Sequence, residues 1–150
     1  MVTVGIIAVL CVVADRLTKN FALILKDGSS RTFIKNVIDF VYLENRGAAF
    51  GIMQNARAVF IVITVAVLVG VAAYIFVKKP KNKLLLSSLG LIAGGAVGNL
   101  IDRIMQGYVV DFIETTFMDF PVFNVADICV CIGVALLILY MLFFDGKQKN

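Results

Sequence analysis

Three long stretches of the chain contain no charged residue. They run over residues 58–77, 84–101 and 128–144, with lengths of 20, 18 and 17 residues. An α-helix needs about 20 largely apolar residues to cross the roughly 30 Å hydrocarbon core of a bilayer. The pattern therefore predicts three membrane-spanning helices, at about residues 56–77, 84–104 and 123–144.

The N-terminal segment is also apolar, but charged residues interrupt it. An uncharged run ends at residue 14, and the apolar pattern resumes over residues 20–25, beyond Asp15 and Lys19. We interpret residues 2–25 as a first helix with a polar outer end. A signal peptide fits less well, because no Lys or Arg precedes the apolar run and no small-x-small cleavage site closes it. We expect one domain over residues 1–150, a membrane all-α bundle of four transmembrane helices.

Composition and charge support a membrane protein and suggest its orientation. Hydrophobic residues make up 61% and charged residues 16% of the chain, against about 45–50% and about 25% in typical soluble domains. The net charge of +4 comes largely from lysines that flank helix ends, which is typical of cytoplasmic segments and not of a nucleic-acid surface. These are Lys78, Lys79, Lys81, Lys83, Lys147 and Lys149. We therefore expect cytoplasmic termini and extracytoplasmic segments at residues 26–55 and 105–122.

The first extracytoplasmic segment is too long for a simple connection. It opens with the turn signature Asp27-Gly28-Ser29-Ser30, and residues 33–43 are rich in Val, Ile, Phe and Tyr, which is typical of a strand. The segment therefore predicts a small β-sheet on the outer membrane surface.

The residues available for chemistry exclude several classes of site. The chain contains no histidine, and its three cysteines show no CxxC or other metal-binding spacing. Histidine-based triads and histidine zinc sites are therefore excluded. We expect neither a metal nor a cofactor, and the acidic residues become the main candidates.

Polar residues of the helices concentrate toward the predicted outer end. They are Asp15 and Lys19 on the first helix, Asn99, Asp102 and Arg103 on the third, and Asn124 and Asp127 on the fourth. A conduction path needs polar groups through the midplane, so this one-sided placement favours a site that meets its substrate at the outer boundary. A small transporter or proton-coupled subunit and a non-catalytic scaffold are the alternatives. For Asp15, Lys19, Asp102 and Arg103, pairing between helix ends is favoured over direct catalysis.

Asp111 and Asp127 form the candidate catalytic pair. Apolar residues flank Asp111, Asp127 lies at the start of the fourth helix, and no basic residue lies between them. A return loop between the two positions would let the carboxylates converge and share one proton. Such a pair supplies a base that activates water and an acid that protonates an amide. Spacing alone leaves a structural role for the pair equally open.

Five motifs, in order along the chain, resemble those of the bacterial lipoprotein signal peptidases, also called signal peptidase II. They are Asp15-x-x-x-Lys19, Asn45-x-Gly47-Ala48-Ala49-Phe50-Gly51, Gly94-Gly95-Ala96-x-Gly98-Asn99-x-x-Asp102-Arg103, Val109-Val110-Asp111-Phe112 and Phe120-Pro121-x-Phe123-Asn124-x-Ala126-Asp127. The resemblance extends over essentially the whole chain.

The resemblance implies an aspartic endopeptidase of the bacterial cytoplasmic membrane. It would remove signal peptides from prolipoproteins by cutting before a diacylglyceryl-modified cysteine, with Asp111 and Asp127 as catalytic residues near the extracytoplasmic face. Supporting and substrate-binding roles would fall to Asn45, Gly47, Asn99, Asp102, Arg103, Asn124, Asp15 and Lys19. The outer segment would form a sheet and a flap over the site. The partners would be the lipidated precursor and membrane lipid, and since one chain can house the whole site, we expect a monomer.

Overall fold

The computed structural model describes residues 1–47 and 53–144, and its fold is mainly helical with a small antiparallel sheet. The elements are α1 (Val2–Ala22), a 3₁₀ turn (Leu23–Leu25), β1 (Arg31–Ile34), β2 (Ile38–Asn45), α2 (Arg57–Lys78), α3 (Lys83–Met105), β3 (Val109–Thr115) and α4 (Val125–Phe143). Residues 48–52 of the outer segment, which was predicted to form a sheet and a flap, lie outside the described residues, as do the lysines 147 and 149.

Helix α3 is the centre of the bundle and packs against the other three helices. Half of its most apolar 18-residue window is buried, compared with 6% for α2 and 17% for α4. Glycine allows this close packing. A Cβ at Gly94 would lie 2.7 Å from the Cβ of Cys11, and a Cβ at Gly95 would overlap the carbonyl oxygen of Ala126. The backbones of α1 and α4 can therefore approach that of α3 closely.

Three helices in the described part of the chain, α2, α3 and α4, are long and apolar enough to cross a membrane. Every 18-residue window of α1 contains Asp15, Arg16 and Lys19, so a fourth span stays a prediction. Much of α2 faces outward, and Val62 and Phe76 are 67% and 62% exposed. A continuous apolar surface of this kind is stable in contact with lipid and not with water.

The three strands form one sheet in the order β1-β2-β3, with antiparallel neighbours. The sequence predicted a strand over residues 33–43, but the structure divides this stretch between β1 and β2. The chain turns at Asn36, whose φ of 60° is a left-handed conformation that asparagine tolerates better than most residues. Strand β3 lies in a segment for which the sequence predicted only a return loop.

The sheet lies at the end of the bundle where α1 and α3 end and α4 begins, which we call the polar end. Side chains alternate across β3. On one face, Val110 and Phe112 pack against Ala22 of α1, while Val109 and Asp111 face a cavity. The alternation of this strand thus turns an aspartate inward at the polar end.

Candidate active site

Asp111 is held in a buried position on β3 by two asparagine side chains. Its carboxylate is 2% exposed. One oxygen accepts a hydrogen bond from Nδ2 of Asn45 at 2.8 Å, and the other accepts one from Nδ2 of Asn124 at 2.6 Å. Asn45 pairs with Val109 in the sheet, which makes it a diagonal neighbour of Asp111. The N–H of Gly47 donates to Oδ1 of Asn45, which turns the amide NH2 toward the carboxylate.

Asp127 lies in the first turn of α4 and closes a capping box with Asn124. The Asp127 carboxylate accepts the backbone N–H of Asn124 at 3.1 Å, and Oδ1 of Asn124 accepts the backbone N–H of Asp127 at 3.0 Å. The other oxygen of Asp127 accepts a hydrogen bond from Nδ2 of Asn99 at 2.7 Å. Helix capping and the site thus use the same residues.

Asn124 joins the two aspartates. Its side chain is fully buried. Its amide oxygen holds the start of α4, and the two hydrogens of its NH2 group are shared among Asp111 at 2.6 Å, Oδ1 of Asn99 at 3.1 Å and the carbonyl of Val110 at 3.3 Å. One asparagine therefore brings the strand carboxylate and the helix carboxylate to the same place.

Burial and the neighbouring acid change the protonation of Asp111. Burial, followed by the negative charge of Asp127, raises the pKa of Asp111 to about 7, against opposing effects from the Asn45 and Asn124 hydrogen bonds and the charge of Lys19. A carboxylic acid with this pKa holds a proton near neutral pH and can donate it. The arrangement has the property expected of an acid–base pair.

Behind the asparagines lies a buried network of charged side chains. Nζ of Lys19 lies 2.9 Å from Asp15 and 2.8 Å from Asp102, and it donates to Oδ1 of Asn99 at 2.9 Å. Arg16 binds the same two carboxylates, at 3.3 Å and 2.6 Å. The charges of Asp15 and Asp102 are balanced by those of the buried Lys19 and the partly exposed Arg16, which makes burial of the two acids tolerable.

A cavity of about 480 Å³ opens beside the two aspartates. Its polar lining comes from Asn45, Asn99, Arg103, Asp111 and Asp127, and its apolar lining includes Phe120, Pro121, Phe123, Ile128 and Ile132. A second groove, of about 320 Å³, lies along α2, α3 and α4. The two meet at Asn99, Arg103, Asp127 and Cys131. An extended apolar surface therefore leads to the pair of acids.

Comparison with known proteins identifies the family. The family model described as signal peptidase (SPase) II matches residues 7–143. The chain belongs to the signal peptidase II family. It is 46% identical over 149 residues to the lipoprotein signal peptidase of Clostridium tetani, covering 97% of this chain and 96% of the relative. It is 43% identical to that of Bacillus velezensis, covering 97% of both chains. A solved structure described as a bacterial membrane enzyme aligns with a TM-score of 0.88 at 34% identity, covering 100% of this chain and 93% of the other.

Membership of the signal peptidase II family makes the chain a bacterial membrane protein and a peptidase. Its apolar helices and the buried carboxylates at their polar end agree with both statements.

The structure places the ten predicted site residues in two layers at the polar end. Asn45, Gly47, Asn99, Arg103, Asp111 and Asp127 line the cavity, with Asn124 between the two acids. Asp15, Lys19 and Asp102 lie behind them. The guanidinium of Arg103 lies 5.0 Å from the centre of the Phe60 ring.

Sequence reasoning missed Arg16. This residue directly follows Asp15 in the polar half of α1, and it binds both acids of the buried network. The sequence did contain a signal for this residue. An arginine within an apolar helix is unfavourable unless a carboxylate pairs with it, so Arg16 could have been predicted to bind an acid.

Proposed function

We propose that this chain is an aspartic endopeptidase that removes signal peptides from prolipoproteins. It cuts the peptide bond before the diacylglyceryl-modified cysteine, and Asp111 and Asp127 are its catalytic residues. The observation that carries the proposal is the convergence of two carboxylates, that of the buried Asp111 and that of the half-buried Asp127, on one asparagine, Asn124, at the wall of a largely apolar cavity.

The two carboxylates take different parts in the reaction. Asp111, with its raised pKa of about 7, holds the shared proton. Asp127 lies in the first turn of α4, where its carboxylate accepts hydrogen bonds from the backbone N–H of Asn124 and from Nδ2 of Asn99. Asp127 accepts a proton from a water molecule as the water oxygen attacks the scissile carbonyl carbon. Asp111 donates its proton to the carbonyl oxygen, which gives a neutral tetrahedral diol.

Collapse of the diol completes the cleavage. Asp127 passes its proton to the leaving nitrogen, and the C–N bond breaks. One hydroxyl of the diol returns a proton to Asp111 as the new carboxyl group forms. The pair ends the cycle with the single proton with which it began, so no other acid or base is required.

The site's position at the polar end suits a lipid-anchored substrate. A cysteine that carries diacylglycerol holds the scissile bond near a membrane surface, and the apolar groove along α2, α3 and α4 offers a surface for its acyl chains. With four spans and cytoplasmic termini, the polar end faces outward from the cytoplasmic membrane. One chain contains both aspartates and both cavities, which is sufficient for a monomeric enzyme.

Replacing either aspartate tests the assignment. Asp111→Asn and Asp127→Asn should each lower kcat on a diacylglyceryl-modified precursor peptide by at least about 1,000-fold, as loss of one member of a catalytic unit does. The matched control is Asp119→Asn, because Asp119 is an exposed aspartate in the same segment. Cleavage by the purified variants is followed in detergent or lipid. Near-normal turnover by either variant would show that the pair is not catalytic.

A further inference from the structure

Lys19 contacts neither aspartate of the pair directly in the hydrogen bonds and ion pairs of the described residues, yet three of its contacts lead to them. Its ammonium group has three acceptors, on Asp15, Asp102 and Asn99. An ammonium carries three hydrogens, so all its donors are used. At 3% exposure, Lys19 has no access to solvent that would replace these partners.

The two acids bound to Lys19 hold the backbone immediately before each catalytic aspartate. Oδ2 of Asp102 accepts the backbone N–H of Val110 at 3.2 Å, one residue before Asp111. Oδ1 of Asp15 accepts the backbone N–H of Ala126 at 3.1 Å, one residue before Asp127. A single lysine therefore ties together α1, α3, β3 and the start of α4.

The third contact of Lys19, together with one from Asn124, determines which way the Asn99 amide faces. Oδ1 of Asn99 accepts from Lys19 at 2.9 Å and from Asn124 at 3.1 Å, so its NH2 is left to donate to Asp127 at 2.7 Å. A flipped amide would set its NH2 against the ammonium of Lys19 and its oxygen against the carboxylate of Asp127. Both contacts are unfavourable.

We propose that Lys19 is a positioning residue for the reaction: it fixes the Asn99 amide so that the NH2 group donates to Asp127. Lys19 shares its contacts with Asp15 and Asp102 with Arg16, so the contact with Asn99 is what distinguishes it. This inference rests on the proposed function. Lys19 itself touches no substrate, since in the part of the chain that the structure describes it lines neither of the two cavities beside the aspartates.

Arg16 provides a matched control within the same network. It binds Asp15 and Asp102, as Lys19 does, but its hydrogen bonds in the described structure do not reach Asn99. Lys19→Met and Arg16→Met each remove one cation from the same two carboxylates. They differ in whether Oδ1 of Asn99 loses one of its two donors, since Lys19 donates to it and Arg16 does not.

The kinetic test compares these two variants on a lipidated precursor peptide. We expect Lys19→Met to lower kcat about 100-fold, a loss typical of small misplacement in an active site, with little change in KM. Arg16→Met should lose a similar amount of thermal stability and keep most of its kcat. Equal losses of kcat in both variants, or a loss confined to KM, would overturn the inference. Should Lys19→Met fail to fold, Lys19→Gln, which retains a donor for Asn99, should keep more activity than Lys19→Leu.

A second measurement does not depend on activity. In protein labelled with ¹⁵N-asparagine, the Asn99 side-chain NH2 signal is identified by its absence in Asn99→Ser. We expect this signal to shift and to exchange faster with water in Lys19→Met, and to change little in Arg16→Met. An unchanged signal in Lys19→Met would overturn the inference whatever the activity. Another outcome is that the NMR signal shifts in Lys19→Met while wild-type protein cleaves no lipidated peptide. In that case the proposed function is wrong, but the contact of Lys19 with Asn99 is supported.

Discussion

At the scale of single residues, three asparagines determine how the site works. Asn45 and Asn124 each direct an NH2 group at Asp111, Asn99 directs one at Asp127, and each asparagine has its amide oxygen held by another donor. An amide with both ends occupied has one favourable orientation. These residues can stabilise negative charge on the pair without competing with it for protons, which a histidine or lysine in their place would do.

The raised pKa of Asp111 predicts where kcat falls on the alkaline side (the alkaline limb) of the pH–rate profile. As pH rises through about 7, Asp111 loses the proton that it must donate, so kcat should fall. The Asn45 hydrogen bond lowers the pKa of Asp111, and its removal in Asn45→Ala should move this limb to higher pH. Measuring kcat at saturating substrate from about pH 5 to pH 9 covers the transition.

Asn20→Ala, at an exposed position on α1, is the control for this experiment and should leave the limb in place. A limb that moves to lower pH in Asn45→Ala, or a kcat that stays constant across the range, would contradict the role of Asp111 as the proton donor.

At the scale of elements, the contact between α3 and α4 decides whether Asn99 reaches Asp127. Gly95 lies at this contact, and a Cβ there would overlap the carbonyl oxygen of Ala126 and lie 2.8 Å from a methyl group of Val130. Gly95→Ala should therefore push the helices apart, lower stability by about 1–3 kcal/mol as overpacking does, and reduce kcat.

The matched control is Gly70→Ala on α2, where a Cβ would have no neighbour within 4 Å. That substitution should be neutral or stabilising by up to about 1 kcal/mol, because alanine loses less conformational entropy in a helix. Thermal unfolding in detergent, followed by far-ultraviolet circular dichroism, measures both. A Gly95→Ala protein as stable as Gly70→Ala would show that the helices do not need this close approach.

The helices were predictable from sequence because a membrane requires long uncharged runs, and such runs are a local property of the chain. Strand β3 was not predicted. Val109–Thr115 forms a strand because it pairs with β2, more than 60 residues earlier along the chain. A local sequence pattern does not predict a pairing between such distant segments. The clustering of the acidic residues of the helices could be predicted from sequence, because each lies near the predicted outer end of its helix. The contact of Lys19 with Asn99 depends on the rotation of two helices about their axes, which spacing within one helix does not give.

At the scale of the whole molecule, the chain separates two surfaces. Its flanks are apolar, with Val69 of α2 61% exposed, whereas charged and amide side chains are gathered and buried at the polar end. In the proposed function, water for hydrolysis reaches the aspartates from that end, and the acyl chains of the substrate lie along the groove between α2, α3 and α4. This division predicts that the lipid on the substrate contributes to binding.

A precursor peptide without diacylglycerol should therefore be cleaved with a kcat/KM far below that of the lipidated peptide.

The role of the groove is tested by Val67→Trp, which places a large ring where Val67 lines the groove. This variant should raise KM for the lipidated peptide severalfold and leave the residual cleavage of the unlipidated peptide nearly unchanged, because the aspartates are untouched. Val69→Trp, two residues along α2 and facing outward, should behave as wild type. Equal cleavage of the two peptides by wild-type protein would show that the acyl chains do not bind, and an equal effect of both tryptophans would place their binding elsewhere.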